Sequence, residues 1–171
     1  MTANEQDGGW YDPEWDAHRT GRGDWEALEW EGDGPDDDLP PTPGEPVRTP
    51  QDALAVLLGL VGPERGGVPA LWFVLLDAQG YTLPVVLPIT DVPMHADLEV
   101  VRRVLDVLRS VLAEDGPGGS LLVGLVRAAG GDRGAFEQSW ARSLRDGADA
   151  IGLRLWGLVA IGEHRARVLE W

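Results

Sequence analysis

Three charged residues, Arg127, Arg133 and Glu137, lie in a glycine-rich segment with the sequence RAAGGDRGAFE. The segment follows an apolar run and precedes a helical pattern, so we expect a loop ending at a helix N-terminus, where free backbone N–H groups favour anions. It matches neither of the phosphate-binding patterns G-x-x-x-x-G-K and G-x-G-x-x-G. The three residues are therefore candidates for an anion- or ligand-binding loop. The alternative is a flexible glycine loop with no ligand.

Composition excludes several catalytic chemistries. The 171 residues include neither Lys nor Cys, which excludes a Schiff-base or P-loop lysine, a thiolate nucleophile, a disulfide and a Cys-ligated zinc. Ser139 and Ser143 have no histidine near them in the sequence, so neither is predicted to be a nucleophile. We predict no catalytic residue, no metal ligand and no cofactor.

His95 lies in the segment DVPMHADLE, close to three acidic residues. This grouping could form a metal or acid–base cluster. A simpler interpretation is that Asp97 and Glu99 stabilise the start of a helix through its macrodipole. We therefore predict that His95 is a surface or capping residue.

Residues 1–47 differ in composition from the rest of the chain. Residues 1–46 contain 14 acidic residues against two arginines, a net charge of −12, and almost no aliphatic side chains. Such a segment buries too little apolar surface to offset its ordering entropy, so we expect a disordered tail.

The tail nevertheless contains apolar residues interleaved with the acids. The candidates for partner binding are Trp10, Tyr11, Trp15, Trp25, Leu28 and Trp30. Aromatic anchors surrounded by acids predict docking to another protein through a basic or apolar groove. The alternative is that these residues pack back on the domain or bind nothing specific.

The charge of the whole chain also limits its partners. A formal net charge of −15 disfavours nucleic acid and anionic membrane surfaces, which both require clustered basic residues. No stretch approaches 18 apolar residues, and the N-terminus lacks the pattern of a signal peptide. We expect a cytoplasmic protein, and the absence of Lys alongside abundant Arg, Ala, Gly and Pro is typical of a bacterial, GC-rich coding sequence.

Residues 48–171 have the periodicity of one folded domain. A helix is predicted to begin with Thr49 as N-cap and Pro50 at its first position, and to end at Gly62. Predicted strands cover 70–77, 81–89, 120–126, 153–161 and 166–171, and two further helices cover 96–113 and 135–152. This order, α-β-β-α-β-α-β-β, predicts a mixed α/β (α+β) fold with helices packed on a sheet of about five strands.

Two of these elements carry more detailed predictions. Pro84 and Pro88 cannot donate to a ladder, so the strand at 81–89 is predicted to lie at an edge of the sheet or to be bulged. The helix at 135–152 is predicted to bury Phe136, Trp140 and Leu144. The helix at 96–113 has a wide apolar face formed by Val100, Val101, Val104, Leu105, Leu108, Val111 and Leu112.

Three segments resemble the JAB/MPN fold, and in particular its RadC-like bacterial branch. FVLLDAQGY is similar to the first hairpin of that family, and MHADLEVVRRVLDVL resembles the start of its second helix. LRDGADAIGLRLWGLVAIG resembles the final helix and the strand that follows it. The resemblance covers roughly residues 70–171, and it implies the α-β-β-α-β-α-β-β order of that metallopeptidase-type domain.

The zinc site that the resemblance implies is missing from this sequence. In active members a His-x-His pair and an Asp hold the metal, and these positions fall at or near Gly124, Val126 and Glu137. One carboxylate cannot replace two imidazoles, because catalytic zinc takes about three protein ligands and a water. The strand TLPVVLPI also lacks the glutamate that would act as general base.

We therefore expect a pseudo-enzyme: a non-catalytic protein-interaction module with an acidic aromatic tail. The alternative is a small-ligand or anion-binding domain, or an enzyme, that uses a site around the 127–137 loop.

Overall fold

The computed structural model describes residues 43–171. The tail residues predicted to bind a partner, from Trp10 to Trp30, lie outside the described residues. The helices are α1 (Pro50–Val61), α2 (Leu98–Asp115) and α3 (Ala135–Ile151), with a short 3-10 helix at Gly62–Gly66. The strands are β1 (Ala70–Leu76), β2 (Thr82–Thr90), β3 (Ser120–Val126), β4 (Arg154–Ile161) and β5 (Ala166–Glu170).

The five strands form one mixed sheet in the order β2-β1-β3-β4-β5. The β3–β4 pair is parallel and is connected through α3, whereas the other three pairs are antiparallel. The predicted mixed α/β fold with a five-stranded sheet is confirmed. The prediction that the proline-containing strand lies at an edge is also confirmed, because β2 ends the sheet.

Local sequence signals explain where α1 begins. Thr49 is the N-cap, and its hydroxyl accepts a hydrogen bond from the Asp52 amide at 3.2 Å. The Asp52 carboxylate accepts in return from the backbone amides of Thr49 and Arg48 at 2.8 and 2.9 Å. This capping box satisfies N–H groups that the first helical turn would otherwise leave free. The two backbone hydrogen bonds, from Arg48 first, lower the pKa of Asp52 below its ordinary value of 3.8.

The helices cover both faces of the sheet. On one face α1 packs Leu57 and Val61 against the strands, and on the other α2 and α3 pack around Trp140. Every residue of β1 and β3 is buried, as expected for central strands covered on both faces. α2 and α3 approach closely at Gly147, where an added Cβ would lie 2.8 Å from Leu105 Cδ1.

The buried face of α2 is narrower than its sequence indicates. Its buried residues are Val101, Leu105, Leu108 and Leu112. Val100, predicted on the apolar face, is 45% exposed, and Val107 is 57% exposed. A helix on a sheet is covered only along the stripe that contacts other elements, so part of a wide apolar face stays in solvent.

Residues 44–47 lie along the start of β2, ahead of the boundary indicated by composition. The amides of Gly44 and Val47 donate to the carbonyls of Thr82 and Gly80, each at 2.8 Å. The Val47 side chain is fully buried. Within residues 43–171, none of the helices combines the length and the apolar composition needed to cross a bilayer.

Candidate functional site

An ion pair joins two of the three predicted site residues. Arg127 directly follows β3, and Glu137 lies in the first turn of α3. Arg127 Nη2 lies 3.2 Å from Glu137 Oε1 and 3.3 Å from Oε2. The Glu137 side chain is fully buried, and the Arg127 side chain is 23% exposed. A buried carboxylate needs such a partner, because desolvating an unpaired charge is very costly.

The glycine loop packs directly against this carboxylate. A Cβ added to Gly134 would lie 2.6 Å from Glu137 Oε2, and one added to Gly130 would lie 2.9 Å from Oε1. Both distances are shorter than a real Cβ tolerates. The backbone therefore passes close to the carboxylate at two positions where a side chain would not fit, although Glu137 is also one of the residues that line the groove described below.

Arg127 also ties the loop to its neighbours. Its amide donates to the Ile161 carbonyl at 3.0 Å, and its guanidinium lies 5.8 Å from the centre of the Phe136 ring. Its Nε is buried and has no hydrogen-bond partner within residues 43–171. Arg127 and Glu137 thus neutralise each other and clamp the end of β3 to the start of α3.

The positions at which the JAB/MPN resemblance implies zinc-binding histidines point into the apolar core. A Cβ added to Gly124 would lie 3.2 Å from Leu57 Cδ2 and 3.5 Å from Ile161 Cδ1. Val126 is 1% exposed and belongs to the same cluster. An imidazole at either position would have to displace core side chains. Among residues 43–171, no three His, Cys, Asp or Glu side chains are grouped so that they could hold a metal ion.

The segment around His95 has a structural role. Asp97 is the N-cap of α2, and its Oδ1 accepts from the Glu99 and Val100 amides at 2.8 and 3.2 Å. Glu99 pairs with Arg103 one turn later. His95 itself is exposed. The acids therefore cap and stabilise the helix, as the simpler interpretation predicted.

Ser139 is also used structurally rather than as a nucleophile. Its hydroxyl accepts from the Ala96 amide at 3.0 Å. At the next residue, Trp140 Nε1 donates to the Pro93 carbonyl at 2.9 Å. These two bonds fix the connection between β2 and α2 against α3.

Arg133, the third predicted site residue, is not part of the buried ion pair. Its side chain is exposed, and its Nη2 donates to the Leu169 carbonyl at 3.2 Å. It lines an open groove of about 260 Å³ between α3 and β5. We call this the α3–β5 groove, and its lining residues are Arg133, Glu137, Gln138, Ala141, Arg142, Arg145, Leu169 and Glu170.

The charges of the groove are only partly compensated. Arg145 forms an ion pair with Glu170. Arg142 and Arg133 have no carboxylate partner for their side chains among the described residues. Two guanidinium groups in one groove are thus available to an external anion.

More arginines lie beside the groove, around Asp132. Arg165 Nη1 and Arg167 Nη1 each lie 3.5 Å from a carboxylate oxygen of Asp132. The backbone amide of Arg133 donates to Asp132 Oδ1 at 2.8 Å. This amide, with a smaller effect of the two cations, lowers the pKa of Asp132 below 3.8. Asp132 stays charged at neutral pH and holds the two arginines of the β4–β5 turn in place.

Arg142, Arg145 and Glu170 were not predicted from the sequence to be part of a site. The helical spacing of Arg142 and Arg145 places them on neighbouring turns of one face. That signal was present, but the position of β5 beside this face depends on the sheet order. The third segment of the resemblance contains Arg145, and its alignment concerned packing only.

No protein-family model, no curated protein and no solved structure matches this chain.

Proposed function

We propose that this protein is a non-catalytic protein-interaction module whose folded domain is a degenerate relative of the JAB/MPN, RadC-like domains. The observation that carries the proposal is the buried Arg127–Glu137 ion pair. Glu137 is the carboxylate nearest to the position where the family resemblance implies a metal ligand, and it already has a cationic partner at 3.2 Å. A carboxylate in this state offers no open coordination position to zinc and no accessible base to a substrate.

The surroundings of the pair support the same conclusion. The glycine loop passes close to Glu137, and Gly124 and Val126 face core side chains. The alternative of an enzyme or a small-ligand site around the 127–137 loop is disfavoured at Arg127 and Glu137, because these two charges pair with each other.

In this proposal the acidic aromatic tail supplies one contact with the protein partner. Its six candidate binding residues were identified from sequence and lie outside the described residues. Trp25 is the most useful to test, because Trp is the residue most often found to dominate binding energy in interfaces.

The test uses the full chain as bait in an extract of its own host, with Trp25→Ala as the matched variant. Proteins retained by the wild type and lost with Trp25→Ala would be purified, and direct binding would be measured by calorimetry. We expect a saturable complex with at least one such protein. Elemental analysis of the purified chain after zinc loading and dialysis should give far less than one metal per chain. One tightly held metal per chain, together with metal-dependent hydrolysis, would overturn the proposal.

A further inference from the structure

We infer that the α3–β5 groove is a docking site for an acidic, extended peptide segment of a protein partner. This inference rests on the proposed function and specifies which surface of the folded domain carries it. It concerns a different surface from the N-terminal tail.

The first argument is charge. The folded part has no excess of positive charge, because residues 47–171 contain 12 arginines against 15 acidic residues. Nevertheless three arginines and two glutamates line the groove. Glu137 is paired with Arg127 and Glu170 with Arg145, so both carboxylates are already neutralised. Arg142 and Arg133 lack a carboxylate partner among residues 43–171. Guanidinium groups bind carboxylates with two parallel hydrogen bonds, so this groove is suited to Asp and Glu side chains.

The second argument is shape. At about 260 Å³ the groove is open along its length, smaller than the ~300–1,000 Å³ typical of clefts that enclose small molecules. Its apolar lining comes from Ala141 and Leu169, which are buried and half-buried. An open groove lined by apolar residues and by arginines without a carboxylate partner fits alternating apolar and acidic side chains better than it fits an enclosed metabolite.

The third argument is the sheet edge. β5 is the last strand of the sheet, so no further strand of residues 43–171 pairs with its outer side. The Leu169 carbonyl is already bonded to the Arg133 side chain, which holds that cation beside the edge. Edge strands offer main-chain groups to which an extended peptide can add. An extended segment along β5 would place alternate side chains into the groove, within reach of Arg142.

A nucleic acid is the weaker candidate for the same cations. The chain carries a formal charge of −15, which repels a phosphate backbone along its whole length. A short acidic peptide presents fewer charges to that field, and it gains main-chain and apolar contacts that a phosphate backbone lacks.

The experiment measures fluorescence polarisation of a labelled Glu-Val-Glu-Val-Glu-Val peptide titrated with the full chain. Comparison probes are the Gln-Val-Gln-Val-Gln-Val peptide and a single-stranded oligonucleotide of equal charge. We expect saturable binding of the acidic peptide that weakens with added salt, and binding at least tenfold weaker for the two other probes.

The test variant is Arg142→Glu, which reverses a groove charge without breaking an ion pair of the described residues. Its matched control is Arg102→Glu, because Arg102 is an exposed arginine on α2 that also lacks an ion-pair partner among residues 43–171. We expect Arg142→Glu to weaken peptide binding about tenfold or more and Arg102→Glu to change it less than about twofold. Both variants should retain the melting temperature of the wild type, because both sites are exposed.

Three results would overturn the inference: equal loss of binding in both variants, no saturable binding of the acidic peptide, or tighter binding of the oligonucleotide. Binding of the host protein partner by each variant distinguishes a failure of this inference from a failure of the proposed function. If Arg142→Glu leaves peptide and partner binding intact while Trp25→Ala removes the partner, the groove is not the site and the interaction module stands. If no protein partner binds and a metal-dependent activity is found, the proposed function itself fails.

Discussion

The two edges of the sheet differ in what they allow a neighbouring chain to do. At one edge, β2 contains Pro84 and Pro88, both exposed, and residues 44–47 cover its first positions. At the other edge, β5 is flanked by Arg133 and carries Arg167. Prolines remove the N–H groups that an added strand needs. Charged side chains also disfavour pairing with an unselected strand, but they leave the N–H groups of the edge in place. If the groove binds as we infer, one edge is closed to any added strand and the other accepts only a segment of opposite charge.

The largest loss of stability that we predict follows from truncating Trp140, a core side chain of α3 that packs beneath the sheet. Trp140 is 1% exposed, and its Nε1 donates to the Pro93 carbonyl in the connection that leaves β2. Trp140→Ala should cost about 3–5 kcal/mol, the range for truncating a buried aromatic. Since a domain has about 5–15 kcal/mol in total, the variant should be marginally folded.

Chemical denaturation followed by circular dichroism measures this loss. Trp171→Ala is the control, because Trp171 is 50% exposed at the end of the chain and contacts Trp156 edge-on. A loss in Trp140→Ala no larger than in the control would show that the two edges do not depend on a shared core.

The second prediction concerns the ion pair beside the β5 edge. Arg127→Met leaves the fully buried Glu137 without a partner, so it should destabilise the domain by about 3 kcal/mol or more. Glu137→Gln should cost less, because the Arg127 side chain is 23% exposed and can still reach water. The double variant Arg127→Met/Glu137→Leu should be more stable than Arg127→Met alone, since it leaves no unpaired buried charge.

Urea unfolding of the three variants, with Arg133→Met as the exposed control, orders their free energies of unfolding. If Arg127→Met and the control show equally small decreases in the free energy of unfolding, the ion pair does not stabilise the loop. The Arg127–Glu137 contact could then be read as a site open to ligands.

The sequence predicted the elements far better than it predicted the site. Thr49 and Pro50 fixed the start of α1, and apolar runs bounded by glycine and proline fixed the strands to within about two residues. These signals are local, so a single chain displays them. The contact between Arg127 and Glu137 was not predictable, because it depends on how far the loop folds back. The same holds for the groove, which exists only because β5 ends the sheet beside α3.

Two further misassignments have a common physical cause. Val100 was placed on a buried face and is exposed, whereas Glu137 was treated as an available ligand and is fully buried. Periodicity gives the direction of a side chain relative to its own helix. It does not show how much of that direction a neighbouring element covers.

A smaller effect on stability is predicted when Asp132 is protonated, because its carboxylate pairs with two arginines at the β5 edge. Its pKa is lowered below 3.8, first by the Arg133 amide and then by Arg165 and Arg167. A group with a lowered folded-state pKa stabilises the fold fully above its unfolded pKa, and this contribution is lost as the pH falls through the folded value. The loss should therefore occur below about pH 3.8.

Carbon-detected NMR titration of the carboxyl group gives the midpoint directly. Arg167→Ala should leave most of the lowering in place, because the backbone hydrogen bond is its largest cause. A midpoint at or above 3.8 in the wild type would mean that Asp132 does not organise this edge.

The smallest effect on stability, and the most direct test of the comparison, is expected from Pro88→Thr in β2. Pro88 pairs with Trp72 of β1 and is exposed, so threonine adds an N–H and a β-branched side chain at little cost. Its free energy of unfolding should change by no more than about 0.5 kcal/mol, as for most surface substitutions.

The restored donor should instead make β2 competent to pair with a second copy. Sedimentation velocity should then show a larger species growing with concentration in Pro84→Thr/Pro88→Thr, and less of it in the single variant. Pro117→Thr, at an exposed proline outside the strands, should sediment like the wild type. If the double variant also sediments like the wild type, the prolines do not protect the β2 edge, and the contrast with β5 rests on charge alone.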